Sequence, residues 1–188
     1  MTRPRLLDLY SGAGGSATGY HRAGFDVVGV DIVHQPRYPF PFIRADALSY
    51  LVQHGREFDA IHASPPCEVH STLRALSPEK FYPDLIPATR AVMELCGKPW
   101  VIENVPGATL HHGVMLCGIM FGLRTYRHRW FETPFLIMQP HHPRHRIRAG
   151  APARRAARGG RHISRPAAPS PSAATWAVTR ASRWASTG

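Results

Sequence analysis

Cys67 follows Ser64-Pro65-Pro66, and this short segment holds the residue best suited to nucleophilic chemistry. Two prolines fix their own φ angles and stiffen the loop, which limits the freedom of the next side chain. A thiolate held in that way is a nucleophile whose orientation cost is already met. Glu103 follows the apolar run Trp100-Val101-Ile102 and leads into Asn104-Val105. A carboxylate at the buried end of a strand is costly unless protonated or paired with a cation. In the first case it can donate a proton to a ring nitrogen; in the second it belongs to an arginine. Tyr126-Arg127-His128-Arg129-Trp130-Phe131 offers such arginines. On a strand, Arg127 and Arg129 share one face, where two guanidinium groups suit a carbonyl oxygen, a carboxylate or a phosphate.

A second set of residues suits a cofactor. Asp8-Leu9-Tyr10-Ser11-Gly12-Ala13-Gly14-Gly15-Ser16-Ala17-Thr18-Gly19 has the spacing G-x-G-G-x-x-x-G, not G-x-G-x-x-G. Glycines let the backbone turn sharply and approach a ligand closely. The spacing favours an adenosine-containing cofactor other than a dinucleotide. Asp31 lies 19 residues beyond Gly12, where a carboxylate at the next strand end can hold ribose hydroxyls. Asp46, at a third strand end, suits the adenine amino group. His141, His142 and His145 surround Pro143, but no cysteine lies beside them and no CxxC occurs, so the sequence points to no metal site.

The elements that must position these residues alternate. Strands are expected at Arg5–Tyr10, Val27–Asp31, Phe42–Asp46, Phe58–Ala63 and Trp100–Ile102, with helices at Ser16–Ala23, Ala47–His54 and Pro83–Cys96. The last helix carries Leu85, Ala88, Val92 and Leu95 at helical spacing as its apolar face. Residues 68–82 read as a mobile loop, and 114–138 as strand-rich. Such alternation predicts an α/β fold with a doubly wound, mainly parallel sheet. Ligands of these sheets sit at the carboxyl ends of the strands, where Tyr10, Asp31, Asp46, Cys67 and Glu103 all fall. Cys96 and Cys117 lie in apolar surroundings and read as packing residues.

Charge divides the 188 residues into two regions. Residues 1–143 hold 13 Lys+Arg and all 12 acids, whereas 144–188 hold 10 Arg and no acid. Residues 1–143 therefore read as the folded domain and 144–188 as a disordered Arg/Ala-rich tail, which would attract nucleic acid without sequence preference. Ala, Arg, Ser, Pro and Gly account for 35 of those 45 residues, the mixture that GC-rich codons give when read out of frame. A frame change near Arg148 would account for it. No apolar run approaches the roughly 18 residues of a membrane span, and the N-terminus lacks a signal core. With three cysteines and no disulfide pattern, a cytoplasmic setting is expected.

Together these motifs resemble the DNA (cytosine-5) methyltransferase family. The match comprises DLYSGAGGSATGYHRAGF, SPPC, ENV and the R-x-R segment in order, with VVGVDI and RADAL between them, over about residues 5–138. The resemblance implies the Rossmann-like fold of S-adenosylmethionine-dependent methyltransferases. Its cofactor would contact Tyr10, Ser11, Gly12, Ala13, Gly14, Gly15, Ile32, Ala47 and Pro65, with Asp31 at the ribose and Asp46 near the adenine. Cys67 would attack cytosine C6, Glu103 would act at N3, and Arg129, supported by Arg127, would hold O2. His70, Arg74 and Lys80 lie on the loop that would close over a flipped base. The implied partner is double-stranded DNA and, in restriction–modification systems of bacteria or phage, a cognate restriction enzyme. Residues 139–188 match neither the variable target-recognition region nor the closing block that follow R-x-R in the family. Two readings follow: an active cytosine-C5 methyltransferase, or an inactive truncated fold that still binds cofactor or nucleic acid. A third keeps the chemistry and changes the substrate to RNA.

Overall fold

The computed structural model describes residues 2–67 and 83–145. Seven strands form one sheet: β1 Arg5–Leu9, β2 Asp26–Asp31, β3 Phe42–Arg44, β4 Ala60–Ala63, β5 Trp100–Asn104, β6 Val114–Cys117 and β7 His128–Glu132. Three helices join them, α1 Gly15–Arg22, α2 Ala47–His54 and α3 Ile86–Cys96. The strand order is β3-β2-β1-β4-β5-β7-β6. The first five strands are parallel, and β7 runs antiparallel to both β5 and β6. This is the doubly wound, Rossmann-like arrangement expected. The winding reverses between β1 and β4, so the strand ends on either side of that point open a crevice.

Period-two alternation divides the core between the two faces of the sheet. Leu7, Leu9, Val30, Ile61 and Ile102 pack with Leu51 of α2 and Met93 of α3. Leu6, Val27 and Ala60 pack on the other face with Ala17 of α1, Phe25 and Tyr38. Full burial of such a side chain contributes about 1.5–3 kcal/mol before chain entropy is counted. Among the described residues no helix is long and apolar enough to cross a membrane.

Two sequence expectations are corrected here. Helix α3 buries Ile86, Thr89, Arg90 and Met93, whereas Leu95 is 73% exposed. Its inner face is rotated by about one residue from the face drawn through Leu85, Ala88, Val92 and Leu95. Polar contacts set that rotation: Thr89 Oγ1 lies 3.0 Å from the Tyr10 hydroxyl, and Arg90 pairs with Glu132 of β7. Asp46 does not end β3, which stops at Arg44; it is the N-cap of α2 and accepts from Ser49 N–H at 2.8 Å. Contacts with the Ser49 backbone and side chain hold the Asp46 carboxyl below its ordinary range. A depressed carboxyl contributes stability above its unfolded pKa and loses it as pH falls through the folded value. Asp46→Ala should therefore cost about 1 kcal/mol at neutral pH, a difference that shrinks towards zero in acid, as thermal melts across pH would record. A cost that is constant with pH would contradict this assignment.

Candidate active site

A cleft of about 500 Å³ opens at the carboxyl edge of the sheet. Its lining includes Tyr10 after β1, Asp31 and Ile32 at the end of β2, Pro65 and Cys67 after β4, and Glu103 near the end of β5. Arg127 and Arg129 complete one side. They reach this edge because β7 is antiparallel, so its first residues lie beside the last residues of β5, with Asn104 opposite Trp130. Ten sequence-predicted positions thus line one cleft: Tyr10, Asp31, Ile32, Asp46, Ala47, Pro65, Cys67, Glu103, Arg127 and Arg129.

The nucleophile end is held by hydrogen bonds from β5. Buried Asn104 donates from Nδ2 to the Pro65 carbonyl at 2.9 Å, and its Oδ1 accepts from Val105 N–H. The Pro65-Pro66-Cys67 loop is therefore tied to the strand that carries Glu103. Arg129 Nε lies 2.7 Å from Glu103 Oε1, and the Ser64 hydroxyl donates to Glu103 Oε2. Of the two expectations for Glu103, a proton donor or an arginine partner, the structure contains the pair. A second Arg129 nitrogen donates to the His128 carbonyl at 2.8 Å, which fixes the guanidinium plane. Cys67 is a free, half-buried thiol at the end of this segment.

The other end combines a glycine turn with a carboxylate. Gly12 has φ +49° and Gly14 φ +84°, and Tyr10 itself adopts φ +54°. Gly12 N–H donates to Asp31 Oδ2, and Val33 N–H to Asp31 Oδ1, both at 2.9 Å. These bonds hold Asp31 against the cleft and leave further lone pairs on both oxygens. A Cβ on Gly12 would meet open space, whereas one on Gly14 would strike Pro39 at 2.7 Å. Gly12 therefore serves its positive φ, and Gly14 also serves close packing. Ser11, Gly12, Ala13, Gly14 and Gly15 do not line the cleft themselves. Ser11 is buried, and its hydroxyl has no protein partner among the described residues.

Beneath this turn lies a buried polar group that the sequence reading passed over. Asp8 is fully buried; Nδ1 of His62 donates to its Oδ1 at 2.7 Å, and the Tyr38 hydroxyl donates to Oδ2 at 3.2 Å. Ser16 at the start of α1 donates to the same carboxylate. Burial first, and the Asp8 charge second, push the Tyr38 phenol far above its ordinary range, so it remains a donor. This network joins β1, β4, α1 and the loop after β2. The available signal was Asp8 flanked by Leu6, Leu7 and Leu9 within one strand, a charge that must find partners. His70, Arg74 and Lys80, expected on a closing loop, lie outside the described residues, as does nearly all of the Arg-rich tail.

Comparison with known proteins bears out the resemblance carried by the motifs. In an alignment 127 residues long the chain is 32% identical to the type II methyltransferase M.XorII of Xanthomonas oryzae pv. oryzae, covering 58% of this chain and 30% of that protein. The chain thus spans under a third of the length of this curated relative. No protein-family model matches. Among solved structures, the Dnmt2 methyltransferase of S. pombe superposes with TM-score 0.46 at 18% identity, over 69% of this chain and 48% of that one. Magnesium protoporphyrin IX methyltransferase from Synechocystis, with bound SAM, gives TM-score 0.43 at 14% identity over 70% of each chain.

Proposed function

We propose that this chain, related in sequence to a type II methyltransferase, is the catalytic core of an S-adenosylmethionine-dependent DNA cytosine-C5 methyltransferase. The observation that carries this reading is the convergence of Cys67, the Glu103–Arg129 pair and Asp31 on one cleft. The cofactor end fits an adenosine-bearing ligand. Asp31 lines the cleft with lone pairs to spare, Ile32 exposes 66% of its surface beside it, and among the described residues the buried Ser11 hydroxyl has no protein partner. Asp31 would hold the ribose hydroxyls and Ile32 would cover an adenine face, while the Gly12–Gly15 turn, outside the cleft lining, would hold Asp31 in place through the Gly12 N–H. Bound there, S-adenosylmethionine supplies an electrophilic methyl group for cytosine C5.

The protein's own part is to make C5 reactive. Aromatic C5 is a poor nucleophile. Addition of the Cys67 thiolate at C6 breaks the C5–C6 double bond and moves its electron pair towards C5, with charge developing at N3 and O2. Arg129, oriented by Glu103, supplies a fixed positive charge and N–H donors for O2. Glu103 lies beside it, where N3 of the base would come. Once C5 is substituted, loss of its proton restores the double bond as the Cys67–C6 bond breaks and the thiolate leaves. In a duplex the C6 position is stacked, so the base must turn out into the cleft.

Two measurements test this reading. Labelled methyl groups should appear at C5 of cytosine in double-stranded DNA and not in tRNA; label in tRNA alone would move the substrate to RNA. Asp31→Asn should weaken S-adenosylmethionine binding about 10- to 100-fold, since hydrogen bonds to a charged group contribute about 1.5–3 kcal/mol. Calorimetry reads this directly, and an affinity unchanged within about twofold, well below that range, would contradict the assignment of Asp31.

A further inference from the structure

The sequence offered His141, His142 and His145 without a cysteine beside them, and the fold brings one. Cys117 ends β6 and stands directly opposite His128, the first residue of β7. The segment after β7 returns over this hairpin end. There Cys117 Sγ lies 3.5 Å from His145 Nε2, and His128 Nε2 lies 3.1 Å from His142 Nε2. Donor atoms of all four residues fall within 4.8 Å of one another. A metal with Zn–N near 2.0–2.1 Å and Zn–S near 2.3 Å sets its tetrahedral ligand atoms about 3.3–3.8 Å apart. The cluster is therefore close to coordination distance, and Cys117 is buried.

We propose that Cys117, His128, His142 and His145 form a four-ligand site for a divalent transition metal, zinc by the chemistry of its donors. One thiolate and three imidazoles match the borderline-soft preference of zinc, and no carboxylate is in the set. Four protein ligands close the coordination sphere, which marks a structural site. When the metal–sulfur bond forms, the Cys117 thiol proton leaves to solvent and the imidazoles bind as neutral rings. The metal would pin residues 142–145 to the β6–β7 hairpin. His128 sits between Arg127 and Arg129 in sequence and faces away from the cleft, so the site would brace the strand that presents both arginines. Without a metal, the three imidazoles crowd one another with ring centroids about 5 Å apart.

This proposal is independent of the methyl-transfer chemistry and is tested without it. The full-length, untagged chain should retain stoichiometric zinc after dialysis against metal-free buffer. Replacement by cobalt(II) should give a tetrahedral visible spectrum with a thiolate-to-metal charge-transfer band. Cys117→Ser should abolish that band, and His142→Ala should reduce bound metal to background. His141→Ala, which alters an exposed neighbour outside the cluster, should keep both metal and spectrum. A folded wild-type chain that takes up no cobalt would overturn the proposal, even if a variant failed to fold. So would an unchanged spectrum in Cys117→Ser, or equal loss in His141→Ala and His142→Ala.

Discussion

Cys67→Ser should lower methyl transfer by roughly four orders of magnitude, equivalent to about 5.5 kcal/mol of activation free energy. A serine hydroxyl ionises far less readily than a thiol and adds poorly to an electron-rich ring, so the step that activates C5 fails. The Pro65-Pro66 loop and its anchor to Asn104 do not involve the thiol, and neither does the Asp31 end of the cleft. S-adenosylmethionine affinity should therefore stay within about threefold, less than half a decade in Kd. Single-turnover assays with labelled cofactor, paired with calorimetry, separate the two effects. Turnover retained in the serine variant would remove Cys67 from the chemistry. Loss of cofactor binding together with turnover would show the cysteine to be a structural residue of the cleft.

The largest loss of stability is expected from Glu132→Ala. Glu132 and Arg90 are both nearly buried, and the carboxylate accepts from Arg90 at 2.5 and 2.8 Å and from His111 N–H at 2.7 Å. Arg90 also donates to the Thr109 carbonyl, and the Glu132 partner is the main cause of its raised pKa. Removing Glu132 leaves a guanidinium in the core without its counter-charge, which costs about 3–5 kcal/mol. For a domain of this size Tm should fall by on the order of 10 °C. Replacing both partners by apolar residues, as in Arg90→Met with Glu132→Leu, should recover most of that loss, because the cost lies in the orphaned charge and not in the missing pair. A drop of less than about 3 °C in Glu132→Ala would correspond to roughly 1 kcal/mol and mean that Arg90 finds water once its partner is gone. The double variant falling as far as the single would show that α3 and β7 need this pair for specific docking.

These two residues also mark where the sequence stopped being readable. The strand ends carrying Tyr10, Asp31, Cys67 and Glu103 could be placed because each is a local event, an apolar run stopped by a polar residue or a proline. Parallel strands then carry all such ends to one edge, so the candidate cleft followed from topology. The inner face of α3 could not be placed that way. Its apolar spacing chose Leu95, but Arg90 and Thr89 turn inward because Glu132 and Tyr10 await them across 42 and 79 residues. Asp46 lines the cleft as expected but does not end a strand: a carboxylate between a strand and a helix can also cap that helix, and the Ser49 N–H shows that it does. Asp8 with His62 and Tyr38, and Cys117 with its three histidines, depend on pairings between strands or across a returning segment. No spacing rule reports these.

The central claim is that Cys67 forms a covalent bond to cytosine C6 in this cleft. Double-stranded DNA carrying 5-fluorocytosine tests it most directly, because fluorine at C5 cannot leave as a proton does and the thiolate is then not released. Incubated with S-adenosylmethionine, the full chain should form a denaturation-resistant protein–DNA adduct that maps to Cys67 by peptide mass and is absent in Cys67→Ser. No adduct, from a folded chain that binds S-adenosylmethionine and DNA of mixed sequence, would contradict the claim and leave a cofactor-binding core that does not perform the reaction.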